Sequence, residues 1–135
     1  MAAAAFPDHR PPVVADVAVV LAADDPAALA AFYGALLGCD PQPGLAASHW
    51  LLPLPGSGRL EIYGPSRSRP RTRGLGRLAC CLRRPGTSET LQSWIDQGCG
   101  LGAELLEPAR QEPFGLEAWL LDPEGNGLLL LVQDP

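Results

Sequence analysis

Lysine is missing from this 135-residue sequence, so all ten of its basic residues are arginine. This bias resembles a coding preference, and no function follows from it. Fifteen acidic residues leave a formal charge of −5 at pH 7. A negative net charge argues against general binding of nucleic acid or acidic membranes by the whole molecule, since both of those partners are negative themselves.

Long hydrophobic runs are also missing. No stretch reaches the roughly 18 consecutive apolar residues of a membrane span. The start, MAAAAFPDHRPP, lacks a basic region followed by about 7 to 15 apolar residues. We therefore expect a cytoplasmic protein without a targeting signal. The cysteines show no CxxC spacing, and we predict that they are small, reduced core residues: Cys39, Cys80, Cys81 and Cys99.

The residues that are present indicate one globular domain. Apolar residues make up 47% of the chain and charged residues 19%, which is typical of folded proteins. A chain of this length can bury about two thirds of its unfolded surface without the help of disulfides or bound metals. We assign residues 1–12 to a tail and residues 13–135 to the domain.

The first part of that domain, about residues 13–64, predicts a strand, a helix and a hairpin. VADVAVVLA is an apolar run of strand length. In DPAALAAFYGALLG, Asp25 suits the helix cap, Pro26 suits the first helical position and Gly38 ends the helix. The strands SHWLLPL and RLEIYG flank PGSG, which favours a tight turn, and a short irregular strand is expected before them.

The second part, about residues 76–133, follows an Arg-rich linker at 65–75 and repeats this order. GRLACCL predicts a strand, and TSETLQSWIDQG predicts a helix from Thr87 to Gly98. DPEGN suits a type I turn with a left-handed glycine between the last two strands. The stripe Leu29, Phe32, Tyr33 matches Leu91, Trp94, Ile95, and aligning Pro55 with Pro123 sets Glu61 opposite Leu129.

Two motifs, DVAVVLAADDPAALAAFYGALLG and WLLDPEGNGLLLLVQ, resemble the vicinal oxygen chelate superfamily, which includes glyoxalase I, bleomycin-resistance proteins and extradiol dioxygenases. The resemblance covers about residues 13–133. It implies an α+β fold in which two βαβββ modules in tandem form a curled mixed sheet around a cavity, often completed by a second subunit. It also implies metal ligands on the first and last strand of each module.

The positions that correspond to those ligands are poor in metal-binding atoms. In the first strand the position falls at Ala18 or at Asp16, depending on the register. Glu61 stands at the end of the first module, Arg77 at the start of the second, and Leu129 in the last strand. Arginine is a fixed cation and leucine has no donor atom. We therefore expect no metal site of the family type, with Glu61 paired to Arg77 and Leu129 in an apolar cavity wall.

Other candidate site residues keep two interpretations each. Glu61 suits either a general base or a structural ion pair, and Arg77 either anchors an anionic ligand or pairs with Glu61. Trp50 and Trp119 either clamp a flat ligand or belong to the core. His49 is either a catalytic group or structural. A cluster of arginines either forms a solvated linker or guides an anionic ligand or an acidic partner protein to the cavity mouth: Arg67, Arg69, Arg71, Arg73, Arg77, Arg83 and Arg84. It has no aromatic neighbours, so stacking on nucleic acid is poorly supported.

These observations favour a homodimeric, bleomycin-resistance-like protein that binds a small organic molecule in the sheet cavity and lacks most of the family's metal ligands. One alternative is a lyase, isomerase or dioxygenase-like enzyme that uses Glu61 or Asp16 with a displaced metal or none. A second alternative is a non-catalytic adaptor that contacts another protein. The sequence leaves the ligand, the catalytic status and the oligomeric state open.

Overall fold

The structure, a computed structural model, describes residues 17–134. The first module contains one helix and four strands. In chain order these are β1 (Ala18–Ala22), α1 (Pro26–Leu37), β2 (Gln42–Pro43), β3 (His49–Pro53) and β4 (Arg59–Tyr63). The expected short strand before the hairpin is therefore β2. Its sheet has the order β1-β4-β3-β2, with β1 parallel to β4 and the other pairs antiparallel.

The second module repeats this plan with longer strands. Its elements are β5 (Cys80–Pro85), α2 (Ser88–Gly100), β6 (Glu104–Glu112), β7 (Gly115–Leu121) and β8 (Gly127–Gln133). The sheet order is β5-β8-β7-β6, and β5 runs parallel to β8. The two βαβββ modules confirm the predicted α+β fold class. Neither helix in residues 17–134 is long and apolar enough to cross a membrane.

Each sheet has a face that carries the helix and a face that does not. On β4, Leu60 and Ile62 are fully buried toward the helix face, and Glu61 points the other way because side chains alternate along a strand. We call the second face the open face. It carries Val20, Leu51 and Glu61 in the first module. In the second module it carries Cys81, Trp119 and Leu129.

Helix α1 begins and ends where the sequence predicts. Asp25 is the N-cap and its Oδ1 accepts a hydrogen bond from the Ala28 N–H at 3.2 Å, with Pro26 in the first turn. Gly38 ends the helix at φ 75°, a left-handed conformation that glycine adopts without steric cost. Leu29 and Tyr33 are about 1% exposed, so the predicted stripe faces the core.

Helix α2 starts at the predicted cap but runs past its predicted end. Thr87 forms a capping box with Thr90, and Trp94 is buried as expected. Gly98 does not stop the helix, which continues to Gly100. Gly98 is instead a buried contact, because a Cβ there would approach Cδ2 of Leu120 to 3.1 Å. A small residue lets the helix pack closely on β7.

Two sequence predictions in the middle of the chain need correction. The strand expected from Gly76 starts only at Cys80, so the connection between the two modules covers residues 64–79. All four cysteines are free thiols, but Cys81 and Cys99 are exposed and do not belong to the core. Cys81 lies on the open face of an edge strand, and Cys99 lies on the outer side of α2.

Candidate functional site

Three polar side chains meet on the open face of the first module. Glu61 lies in the middle of β4, and Arg59 lies two residues earlier on the same face. His49 lies at the start of the neighbouring strand β3. The Nε2 of His49 is 2.9 Å from Oε1 of Glu61, and the Nε–H of Arg59 donates to Oε2 at 2.8 Å. Each carboxylate oxygen therefore has its own nitrogen partner.

These contacts fix Glu61 as a carboxylate. The hydrogen bonds from His49 and Arg59 lower the pKa of Glu61 below its ordinary value of 4.5, and they outweigh the opposing effect of burial. The Glu61 side chain is 18% exposed, so it stays accessible to a small molecule. A carboxylate held in this way accepts hydrogen bonds well and takes up protons poorly.

The orientation of His49 is set from the backbone of the preceding loop. The Leu45 N–H donates to Nδ1 of His49 at 2.9 Å. That nitrogen is therefore the acceptor in the neutral ring, and Nε2 carries the hydrogen that Glu61 receives. Gly44 packs directly on the ring, because a Cβ at this position would overlap Nδ1. The loop from Gly44 to Leu45 thus positions the imidazole for Glu61.

The predicted pair between Glu61 and Arg77 is wrong. The cation beside Glu61 is Arg59, which a strand places on the same face two positions away. Arg77 is exposed and precedes β5 instead of lying on it. Sequence reasoning missed Arg59, although the i, i+2 spacing of RLE in a predicted strand was the available signal.

The tryptophans fall on different faces. Trp50 pairs with Ile62 and packs against the hydrophobic core on the helix face, so it does not line the open face. Trp119 lies on the open face opposite Leu129, which also pairs with Cys81. These three side chains form an apolar surface on the second module. Leu129 occupies there the position that Glu61 occupies in the first module.

Among the family's ligand positions that the structure describes, only Glu61 has a metal-binding atom. On the first strand, Val20 pairs with Glu61 of β4, and Ala18 lies two residues before Val20 on the same face. Neither Val20 nor Ala18 has a ligand atom. Leu129 has none either, and the two oxygens of Glu61 already hold N–H donors. Within residues 17–134, no three His, Cys, Asp or Glu side chains are grouped to hold a metal ion. Asp16, the other predicted first-strand position, lies outside the described residues.

The turn between β7 and β8 is a polar contact between the modules. Asp122 is 4% exposed; its Oδ2 accepts from the Tyr33 hydroxyl at 2.7 Å, and its Oδ1 accepts from the Glu124 and Asn126 N–H groups. Burial and the Asp122 charge raise the pKa of Tyr33 well above its ordinary range. Gly125 has φ 86°, as the predicted turn requires.

Glu124 in the same turn reaches the start of helix α1. Its two carboxylate oxygens accept from the Asp24 and Asp25 N–H groups at 2.9 and 3.1 Å. These backbone groups precede the first helical turn, where a negative charge is favourable. Arg73 of the linker donates to Asp24 at 2.7 Å and lies 3.5 Å from Glu124. Arg73, one arginine of the predicted cluster, thus pairs with carboxylates of the protein itself.

A model of the glyoxalase-like domain matches residues 18–131, nearly the whole described chain. The chain belongs to the glyoxalase-like domain family. This assignment agrees with the two βαβββ modules, and it confirms the predicted membership of the vicinal oxygen chelate superfamily. No curated protein sequence matches this glyoxalase-like domain significantly.

Solved structures with the same fold share little sequence with it. A glyoxalase-related enzyme from Fulvimarina pelagi is 21% identical, with a TM-score of 0.73 and 89% of each chain covered. A glyoxalase/bleomycin resistance protein from Albidiferax ferrireducens T118 is 24% identical, with a TM-score of 0.65 over 86% of this chain and 96% of that one. A lactoylglutathione lyase from Agrobacterium tumefaciens is 22% identical, with a TM-score of 0.65 over 90% and 95%. Such identities show the fold alone.

Proposed function

We propose that this glyoxalase-like domain binds a small organic molecule on its open face and does not transform it. The observation that carries the proposal is that His49 and Arg59 hold Glu61 in its charged form, each by a contact to one carboxylate oxygen. A general base works best with a pKa near the working pH. Glu61 has a lowered pKa and a donor on each oxygen, which suits an anchor for a ligand better than a base.

The surroundings of Glu61 support binding of a mainly apolar ligand. Val20 is 57% exposed beside it, and Leu51 lies on its other side. Ligand sites combine apolar surface with a few placed polar groups. The remaining lone pairs of Glu61 favour a ligand with an N–H or ammonium group.

The test is an NMR titration of the ¹⁵N-labelled protein with benzylamine and tryptamine as probes. Binding at the open face shifts the amides of Leu51 and Val20 saturably, and Glu61→Gln weakens binding about tenfold through loss of one charge-assisted hydrogen bond. Glu89→Gln, in the exposed first turn of α2, is the matched control and leaves the affinity unchanged. Shifts confined to other faces overturn the proposal.

The enzyme alternative predicts a different result in a metal assay. Purified protein is incubated with Fe, Ni, Mn or Zn, dialysed and subjected to elemental analysis. About one retained ion per chain, lost in Glu61→Gln, would support the lyase, isomerase or dioxygenase-like function with a displaced metal. No retained ion in the wild type supports the binding function, because a displaced metal site is then missing.

A cytoplasmic homodimer remains part of the proposal. Large apolar side chains are exposed just before β1 and at the end of the linker: Val17 at 66%, Leu75 at 58% and Leu78 at 84%. An apolar patch of this kind is typical of surfaces that a second chain covers. Light scattering during size exclusion gives the oligomeric state, and Leu78→Glu is expected to shift a dimer to the monomer. A partner of another sequence would instead fit the adaptor alternative.

A further inference from the structure

A groove of about 840 Å³ lies on the helix face, away from Glu61. One wall is the C-terminal half of α1, from Ala35 to Gly38, and the turn from Leu54 to Ser57. The other wall is β5 together with Trp94 and Gln97 of α2. The groove therefore lies between the modules. Of the residues named on the open face, only Cys81 also lines it, and Glu61 does not.

The groove exists because equivalent turns in the two modules make different contacts with the helix of the other module. In the second module, Asp122 and Glu124 close the β7–β8 turn onto α1. The alignment that pairs Pro55 with Pro123 places Leu54 at the Asp122 position and Gly56 at the Glu124 position. Neither residue has a carboxylate, so the β3–β4 turn cannot make these contacts with α2. The space between that turn and α2 stays open.

All charged side chains among the described residues that line the groove are positive. Arg84 lies over the Trp94 ring, with its guanidinium carbon 5.1 Å from the ring centroid, and Arg83 is the next residue along the edge strand β5. No carboxylate in the described part of the chain pairs with either arginine, and no acidic side chain is among the groove's described lining residues. The rest of the lining is largely apolar and includes Leu36, Leu54 and Leu82.

We propose that this groove is a second binding site, for an apolar monocarboxylate. Its volume falls within the range of small-molecule sites. The planar fork of Arg84 suits a carboxylate, and stacking on Trp94 holds that fork in place. The C-terminal end of α1 carries partial negative charge, so the carboxylate lies toward Arg84 and the apolar body extends toward Leu36 and Leu37.

The test uses 4-phenylbutyrate as the probe and 4-phenylbutanol as its uncharged counterpart, with full-length ¹⁵N-labelled protein. The acid is expected to shift the Trp94 indole N–H and the Leu37 amide saturably, and to bind at least tenfold tighter than the alcohol. Arg84→Gln is expected to remove that difference. Equal affinity for the acid and the alcohol, or no saturable shift at millimolar concentration, overturns the proposal.

A groove-filling variant separates this site from the open face. Ala35→Trp fills the groove from α1 and is expected to abolish binding of the acid. Ala31→Trp, one turn earlier at another exposed position of α1, is the matched control for folding and retains binding. Glu61→Gln also retains acid binding, since Glu61 lies on the opposite face. Saturable acid-induced shifts at Leu51 and none at Leu37 would instead assign the acid to the open face and overturn the proposal.

Discussion

The Tyr33 hydroxyl of α1 donates a buried 2.7 Å hydrogen bond to Asp122, 89 residues later in the chain. It joins the helix of the first module to the last turn of the second. A buried hydrogen bond to a charged group contributes more than a neutral one. The DPEGN turn, which identified the family resemblance in sequence, thus has a structural role between the modules.

Removing that hydroxyl tests its contribution. Tyr33→Phe leaves Oδ2 of Asp122 with Asn126 alone, and it is expected to lower the free energy of unfolding by about 1.5–3 kcal/mol. Urea denaturation followed by tryptophan fluorescence measures the change. Tyr63→Phe is the control, because the Tyr63 hydroxyl has no hydrogen bond within residues 17–134. Equal losses in both variants would contradict the role of Asp122.

The charged carboxylate of Glu124 is expected to stabilise the fold more than the neutral amide of a glutamine at the same position. Glu124→Gln places an NH₂ group against one of the two backbone N–H donors at the start of α1. We expect a loss of about 1 kcal/mol in the free energy of unfolding, because one of these part-buried N–H donors then lacks its partner. Glu89→Gln at the exposed start of α2 should cost less than about 0.5 kcal/mol. Thermal denaturation of both variants with the wild type makes the comparison.

The tautomer of His49 is a direct spectroscopic prediction. Because the Leu45 N–H donates to Nδ1, the neutral ring carries its hydrogen on Nε2. A long-range ¹H–¹⁵N spectrum of the imidazole at neutral pH distinguishes the two tautomers. Gly44→Ala crowds Nδ1 and should weaken the preference, whereas Gly100→Ala, where a Cβ meets open space, should leave it unchanged. A hydrogen on Nδ1 in the wild type would refute this arrangement.

The lowered pKa of Glu61 predicts a pH dependence with a definite sign. A carboxyl whose folded pKa is depressed stabilises the fold above its unfolded pKa, and this contribution is lost as pH falls through the folded value. The stability difference between the wild type and Glu61→Gln should therefore be largest near neutral pH and shrink below about pH 4.5. Urea titrations from pH 7 to pH 3 measure it. A difference that stays constant over that range would show that Glu61 is not stabilised as a carboxylate.

Local signals predicted much of the fold. The Asp25 cap, Pro26 and Gly38 bounded the first helix correctly, because they act through the backbone of their own residues. Alternation and turn residues placed the hairpins for the same reason. Gly98 failed as a stop signal because its role depends on Leu120, which comes from a strand far away in sequence.

The site was less predictable because it depends on which residues face one another. Glu61 was found from the family position, but its partners required the β3–β4 register that brings His49 beside it. Arg77 was assigned to a strand that begins three residues later, at Cys80. The helix-face groove follows from contacts that Leu54 does not make, and the sequence of one module alone does not show it.

The hydrogen bonds of Glu124 also constrain the order in which the chain can fold. The start of α1 receives its two backbone partners from a residue about 100 positions later, so the first module is incomplete until the last hairpin has formed. Contacts of such high sequence separation slow folding. On the ribosome, the first half of the chain would emerge without the groups that complete its helix. The two modules are therefore expected to unfold in a single transition, although each has its own sheet.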